Sequence, residues 1–228
     1  MILHLPRLLN ADEVRTARAL LSDDAPWIDG RSSAGGQALT QKNNLQLAQD
    51  SEHGRDLQRL VLSAVQREPL LLSAALPQRI FNPLFNRYDS HHSHYGAHVD
   101  GAVLRSQATQ EWVRTDLSCT VFLSDPQDYD GGELRVQDHG GERRYKLAAG
   151  DAILYPGTRV HEVTPVTRGV RLASFFWIES MVRCEEQRRI LFDLDMNLLQ
   201  LRAQLGETAQ TTALTGIYHN LLRQWAST

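Results

Sequence analysis

Cysteine is almost missing from this chain. Only Cys119 and Cys184 occur in 228 residues, too few for a disulfide framework, so the expectation is two reduced thiols in a cytoplasmic protein held together by its core. Long apolar runs are missing too. Leu70-Leu71-Leu72-Ser73-Ala74-Ala75-Leu76 stops at Pro77, far short of the roughly 20 residues a membrane-crossing helix needs. Met1 to Leu9 is interrupted by His4, Pro6 and Arg7 and does not read as a signal peptide. Neither sign of charge dominates: 24 basic against 27 acidic residues leaves −3. That balance offers no basic field for nucleic acid and no acidic block for a disordered tail. Internal repeats and low-complexity tracts are lacking as well. Secreted disulfide scaffolds, membrane spans, nucleic-acid binders and repeat arrays are thereby set aside.

What is present is an apolar content of 42%, ordinary for a globular protein with a sizeable core. The length suits one domain with an appendage. Asn10 followed by Glu13 has the form of a helix N-cap with its capping-box partner, and Val14, Ala17, Leu20 and Leu21 follow at helical spacing. A loop is expected at Ser32-Ser33-Ala34-Gly35-Gly36. A second helix fits Ser51 to Arg67, with Leu57, Leu60, Val61 and Ala64 on one face and Pro69 as its stop.

From about Ile80 the texture changes. Short β-branched and aromatic stretches alternate with turn signals at spacings of roughly ten residues. Strands are expected at Phe85 to Tyr88, Ala97 to Asp100, Asp116 to Leu123, Gly132 to Gln137, Arg143 to Leu147, Ala152 to Tyr155, His161 to Val163 and Val170 to Trp177. Eight short strands suit a double-sheet jelly roll. After Glu179 the pattern is helical again: Leu191, Leu194, Leu198, Leu201 and Leu205 form one apolar stripe, and a final helix fits Ala213 to Trp225. Such a stripe suits either cover for a sheet face or a seam between two copies of the chain. The expected architecture is α+β, with N-terminal helices buttressing a jelly-roll core over residues 1–180 and a helical extension over 181–228.

The sharpest local signal is Tyr95-Gly96-Ala97-His98-Val99-Asp100-Gly101. On a strand, residues two apart share a face, so the His98 imidazole and Asp100 carboxylate can converge. His161 follows the turn at Pro156-Gly157, and Arg171 opens an apolar strand ten residues on. A tight turn at Pro165 to Gly169 is expected to bring Arg171 near His161. Two imidazoles and one carboxylate on one face of an octahedral ion form the triad of non-haem iron(II) oxygenases. One carboxylate leaves Fe(II) with a net charge near +1, and three positions stay open for a bidentate 2-oxo acid and O₂. The outer carboxylate of 2-oxoglutarate then needs a fixed cation, and arginine's planar fork supplies two parallel charge-assisted hydrogen bonds.

Several motifs taken together resemble the bacterial PKHD-type hydroxylases, which are prolyl-4-hydroxylase-like Fe(II)/2-oxoglutarate-dependent dioxygenases often linked to iron uptake. They are Tyr95-Gly96-Ala97-His98-Val99-Asp100, Tyr129-Asp130-Gly131-Gly132-Glu133-Leu134, Ala149-Gly150-Asp151, Tyr155-Pro156, the stretch from His161 to Arg171, and the terminal Leu214-Thr215-Gly216-Ile217-Tyr218-His219-Asn220-Leu221-Leu222-Arg223. The likeness covers nearly the whole chain. It implies a double-stranded β-helix, Fe(II) on His98, Asp100 and His161, 2-oxoglutarate on Arg171, and ascorbate as auxiliary reductant. It also implies a tyrosine upstream of the H-x-D that touches the cosubstrate, for which Tyr88 is the candidate. The implied reaction couples oxidative decarboxylation of 2-oxoglutarate to hydroxylation, with O₂ and a small molecule or peptide as partners.

Blander readings stand beside these. A non-catalytic jelly-roll iron or oxygen sensor would carry the same triad. A cupin-like metalloenzyme would commonly carry a third histidine, where Asp100 stands here. Arg171 also has Glu133 and Glu162 as prospective ion-pair partners. His91, His92 and His94 read as solvated or substrate-facing, and His139 as an exposed turn residue. Trp112, Trp177 and Trp225 read as core or interface. Asp130-Gly131-Gly132-Glu133 reads as a hairpin turn, since it lacks the alternating oxygen ligands of a calcium loop. Residues 89–96 and 101–115 are expected to frame the entrance as loops. A homo-oligomer through the C-terminal helices remains open.

Overall fold

Strand Arg171–Ser180 organises the molecule. None of its ten residues is exposed, as expected of a strand covered on both faces. In the computed structural model, which describes residues 1–33, 38–106 and 109–227, it sits inside an antiparallel eight-stranded sheet. The strand order is Leu3–Leu5, Ala152–Pro156, Leu117–Phe122, Arg171–Ser180, Leu84–Tyr88, Leu45–Leu47 and Trp27–Asp29, with Pro77–Ile80 also paired to Arg171–Ser180. The period-two alternation of side chains divides the duties of this sheet. Leu172, Phe176 and Ile178, with Leu117, Cys119 and Val121 from the neighbouring strand, join the large apolar core. Their alternates Arg171, Ala173, Phe175, Trp177, Ser118 and Thr120 face a cavity.

Helices cover the outer face. Helix α1 (Ala11–Leu20) starts at Asn10, whose side chain accepts from the amides of Asp12 and Glu13 while Glu13 accepts from the Asn10 amide; such a cap contributes about 1 kcal/mol. Helix α2 (Glu52–Gln66) is capped by Ser51. Val14, Ala17, Leu57, Val61 and Ala64 from these two helices pack on the sheet. Pro69 does more than stop α2. It occupies the first turn of a separate helix, α3 (Pro69–Ala75), because a missing N–H costs nothing there.

The second layer is a five-stranded sheet in the order Gly141–Tyr145, Leu134–Asp138, His161–Val163, His94–His98 and Lys42–Asn43. Tyr88, Phe122, Tyr129, Leu134, Val136, Ile153, Tyr155 and Val163 fill the space between the sheets. This is the jelly roll expected from the strand spacing, the double-stranded β-helix that the family resemblance implies. The short strands before Ile80 extend both sheets and carry no clear alternation in the sequence. The expected loop at 32–36 falls partly on residues 34–37, outside the described residues.

Helix α4 (Glu185–Leu205) and helix α5 (Ala209–Trp225) pack against each other, and α4 also packs against α3. Leu191 and Val182 meet Leu76, Tyr218, Leu221, Leu222 and Trp225. Of the stripe, Leu191 thus packs among neighbouring helices, while Phe192 and Met196 beside it join the core of the larger sheet. The far end of the stripe, Leu205, is exposed. No described helix is long and apolar enough to cross a membrane.

Ala149-Gly150-Asp151 proves to be a docking device. The Asp151 carboxylate accepts from His4 Nε2 and from the Arg7 amide, both at 2.8 Å, and the Leu9 amide donates to the Gly150 carbonyl at 3.0 Å. Gly150 has φ +96°, and a Cβ there would stand 2.4 Å from the Leu9 carbonyl oxygen. Gly150→Ala is expected to cost about 1–3 kcal/mol, the range for strained backbone positions, read as a lowered midpoint in urea denaturation.

Candidate metal centre and cosubstrate pocket

His98 ends strand His94–His98, and His161 opens strand His161–Val163; the two residues are register partners in the second sheet. Asp100 lies two residues past the end of its strand, and its carboxylate converges with His98 as the two-residue spacing leads one to expect. The candidate ligand atoms of His98, Asp100 and His161 all lie within 4.8 Å of one another, with Asp100 Oδ1 3.7 Å from His161 Nε2.

Each imidazole is fixed twice. His98 Nδ1 lies 2.8 Å from the Gly96 carbonyl and His161 Nδ1 3.0 Å from the Arg159 carbonyl. A carbonyl can only accept, so both Nδ1 atoms carry the proton and both Nε2 atoms present a lone pair to the site. The Tyr95 ring stacks on His98 with centroids 3.6 Å apart, and the Tyr155 ring meets His161 edge-on at 5.2 Å. Burial, followed by the neighbouring His161, pushes the His98 pKa down to about 3, which keeps the imidazole neutral and ligand-ready. Asp100 Oδ2 is buried without a hydrogen-bond partner. Two imidazoles with their Nε2 atoms toward the site and one under-satisfied carboxylate are the donor set that a divalent cation completes.

Arg171 stands on the opposite sheet. The segment expected to turn tightly between His161 and Arg171 instead forms strand Val166–Gly169, paired with Tyr129–Gly131; it carries the chain from one sheet to the other. The two groups meet across the cavity rather than along a hairpin. Asp130-Gly131-Gly132-Glu133 is correspondingly no hairpin turn, but a strand end with a register shift after Asp130. Arg171 is 1% exposed. Its Nε and Nη2 have no hydrogen-bond partner, and it forms no ion pair among the described residues. Glu133 and Glu162 pair with Arg135 instead. The guanidinium lies 5.1 Å from the Tyr88 ring centroid and 5.5 Å from that of Phe122.

Tyr88 is the register partner of Arg171 and is itself buried; its hydroxyl accepts from Asn86 Nδ2 at 3.2 Å. All five residues singled out from the sequence, His98, Asp100, His161, Arg171 and Tyr88, line one cavity of about 540 Å³, within the roughly 300–1,000 Å³ usual for small-molecule sites.

The expected entrance loops are partly ordered. Val103–Arg105 and Trp112–Arg114 form a hairpin, and Val99, Gly101, Leu104 and Arg105 line the cavity; residues 107–108 lie outside the described residues. His139 is exposed, as expected. Trp112 is 62% exposed, and Trp177 faces the cavity, so neither is a simple core residue. Sequence reasoning also missed Gly132. A Cβ there would lie 2.8 Å from Val166, 2.9 Å from the Tyr129 ring and 3.0 Å from Arg171 Cδ, at φ +63°. This glycine lets the arginine stem lie flat, and its only signal was a Gly-Gly pair that turns also use. Lys42 was missed as well. It lines the cavity from an edge strand with its Nζ 5.2 Å from the Tyr95 ring centroid, and burial pulls its pKa down to about 8.

Comparison with known proteins agrees with this geometry. Residues 83–179 match the 2OG-Fe(II) oxygenase superfamily, and residues 185–227 match the PKHD-type hydroxylase C-terminal domain. PKHD-type hydroxylases from Polaromonas sp. strain JS666 and Verminephrobacter eiseniae are 56% and 57% identical, each over the whole of both chains. The chain belongs to the PKHD-type hydroxylase family. It is accordingly an oxidoreductase that uses Fe(II), 2-oxoglutarate and O₂ to hydroxylate a small-molecule or peptide substrate. The fold is shared more widely. A prolyl hydroxylase from Trichoplax adhaerens, solved with a hypoxia inducible factor peptide fragment, superposes with TM-score 0.58 at 14% identity, covering 83% of this chain and 86% of that one. A Pseudomonas putida prolyl-4-hydroxylase gives 0.52 at 21% identity, covering 78% and 92%.

The depressed pKa of His98 has a consequence for the metal-free PKHD-type chain. The folded form resists protonation that the unfolded form accepts near 6.5. The unfolded state therefore binds more protons below that pH, and stability falls as the pH drops through 6.5 toward 3. Between pH 8 and pH 5 the loss attributable to His98 is up to about 2 kcal/mol. Urea midpoints of wild type and His98→Gln at the two pH values check this, with the variant expected to be less acid-sensitive.

Proposed function

We propose that His98, Asp100 and His161 are the protein ligands of the catalytic Fe(II), that Arg171 pairs with the outer carboxylate of 2-oxoglutarate, and that the Tyr88 hydroxyl hydrogen-bonds the same carboxylate. One observation carries this reading: a metal-ready triad and a buried guanidinium without an anion line the same cavity. An unpaired buried cation costs several kcal/mol unless an anion joins it. Bound iron and its cosubstrate supply the oxygen activation and C–H hydroxylation chemistry, with succinate and CO₂ as co-products.

The protein's share is binding, orientation and exclusion. The Gly96 and Arg159 carbonyls hold the imidazole tautomers, and the Tyr95 and Tyr155 rings fix their planes. Asp100 supplies one negative charge, leaving a dication in the triad still attractive to an anionic cosubstrate. Tyr88, Phe122 and Tyr129 wall off the guanidinium from water, which strengthens its charge-assisted bonds.

The wider reading extends to setting and organisation. Ascorbate serves as the auxiliary reductant, and the protein acts in the cytoplasm in a pathway linked to iron uptake. A cytoplasmic setting is supported by two cysteines that remain free, one buried and one exposed. The near-balanced charge supports a protein that engages neither nucleic acid nor membrane. Residues 1–180 form the dioxygenase domain and 181–228 a helical extension, a division supported by family matches that end at 179 and resume at 185. The apolar exposure of Leu199, Leu205 and Ile217 on that extension supports a homo-oligomer formed through it.

Anaerobic titration of Fe(II) and 2-oxoglutarate into the full chain is expected to give a weak visible charge-transfer band, lost in His98→Ala. Arg171→Met should weaken 2-oxoglutarate binding about 100-fold or more, as expected for removing one partner of a buried charge pair. Oxygen-dependent succinate formation should be lost with it. A wild type that binds both ligands yet forms no succinate under O₂ would remove the catalytic reading and leave a metal-binding sensor. Gly132→Ala should weaken 2-oxoglutarate binding roughly ten-fold by displacing the Arg171 stem, measured by the same titration with the iron site intact.

A further inference from the structure

The cavity extends well beyond the part that iron and 2-oxoglutarate would use. Arg171, Ala173, Phe175 and Trp177 alternate along one strand and all face it. At about 3.3 Å per residue the backbone at Trp177 lies about 20 Å from that at Arg171, out of reach of a five-carbon diacid held by the guanidinium. We propose that this far end, walled by Phe81, Leu104, Phe175 and Trp177 with Arg105 at its rim, seats the primary substrate, and that this substrate is a small carboxylate with a ring-sized apolar body. The inference rests on the Fe(II)/2-oxoglutarate reading above and names the substrate class for it.

Three features of the walls define that class. Phe81 and Phe175 both meet Trp177 edge to face, with centroids 5.3 Å and 5.4 Å away. These contacts hold the indole in place as one wall of an aromatic pocket. Trp177 Nε1 is buried and has no acceptor among the described residues, although a buried indole N–H ordinarily finds one.

The charge of the lining points the same way. Lys42, Arg105 and Arg171 face the cavity, against the single carboxylate of Asp100. Arg171 is assigned to 2-oxoglutarate. Arg105 is exposed, its guanidinium bonded through Nε to the Gln110 carbonyl at 3.3 Å, and it forms no ion pair among the described residues. It is placed to receive a carboxylate at the mouth.

The size of the cavity limits what it can seat. Leu104 and Val113, from the two strands of the Val103–Arg105/Trp112–Arg114 hairpin, pack with Phe81, Leu84, Phe175 and Trp177 as an apolar wall. A volume of about 540 Å³ suits a compact molecule over an extended peptide.

The test is anaerobic calorimetry on the full chain loaded with Fe(II). First 2-oxoglutarate is titrated, then 3-phenylpropionate, 3-phenylpropionamide and a proline-containing octapeptide in its presence. We expect 3-phenylpropionate to bind without displacing 2-oxoglutarate and at least about ten-fold tighter than its amide, the worth of one charge-assisted bond. Arg105→Gln should erase that difference, and Trp177→Phe should weaken acid and amide alike. Equal affinities for acid and amide in wild type, displacement of 2-oxoglutarate by the acid, or binding of the peptide alone would overturn the inference while leaving the cosubstrate reading in place. Failure of 2-oxoglutarate itself to bind would overturn that reading, and this inference with it.

Discussion

A guanidinium buried without an anion is the constraint around which the molecule is arranged. Arg171 is among the largest fully buried side chains, yet two of its nitrogens have no protein partner. Two aromatic rings flank it, a glycine makes room for its stem, and Glu133 and Glu162 are paired with Arg135. A fold seeking only stability would replace such a charge with an apolar residue or pair it. Keeping it unpaired reserves the energy of a buried ion pair for a ligand.

The triad across the cavity follows the same logic. Its imidazoles are tautomerically fixed by backbone carbonyls, burial holds the His98 pKa down, and one Asp100 oxygen is left without a partner. Both half-finished sites are tolerable because they lie on two sheets that pack on each other and, for the larger sheet, on a helical layer. The N-terminal segment, clamped by Asp151 and Gly150, and the helices behind the larger sheet brace that sheet. Function and stability are thus separated by the alternation of a single strand: Leu172, Phe176 and Ile178 hold the fold, while Arg171, Phe175 and Trp177 face the chemistry.

Much of this was legible from residue order. The jelly roll showed in the strand spacing, and helix starts at Asn10 and Ser51 were written in their capping residues. The five candidate residues, including Tyr88 despite the histidine-rich insertion after it, all proved to line one cavity. The errors share a cause. Short edge strands such as Lys42–Asn43 carry too few residues for any period to show. Pro69 was read as a stop when it also starts α3, since proline favours both places. The segment before Arg171 was read as a turn because Pro and Gly bracket it, whereas cross-strand pairing with Tyr129–Gly131 depends on partners 35 or more residues away.

Residue order alone supplied the candidate donor set, the candidate arginine and the class of fold, because these depend on residue type and on local periods of 2 and 3.6. Three-dimensional packing determined everything that involves a second segment. It set the pairing that brings His161 beside His98, the rings that clamp them and the glycine beside Arg171. It also set the cavity's extension from Arg171 to Trp177. The reason is physical: a side chain's alternation is encoded in its own neighbours, but its burial and unpaired state are properties of what the rest of the chain does, or does not, bring within a few ångströms.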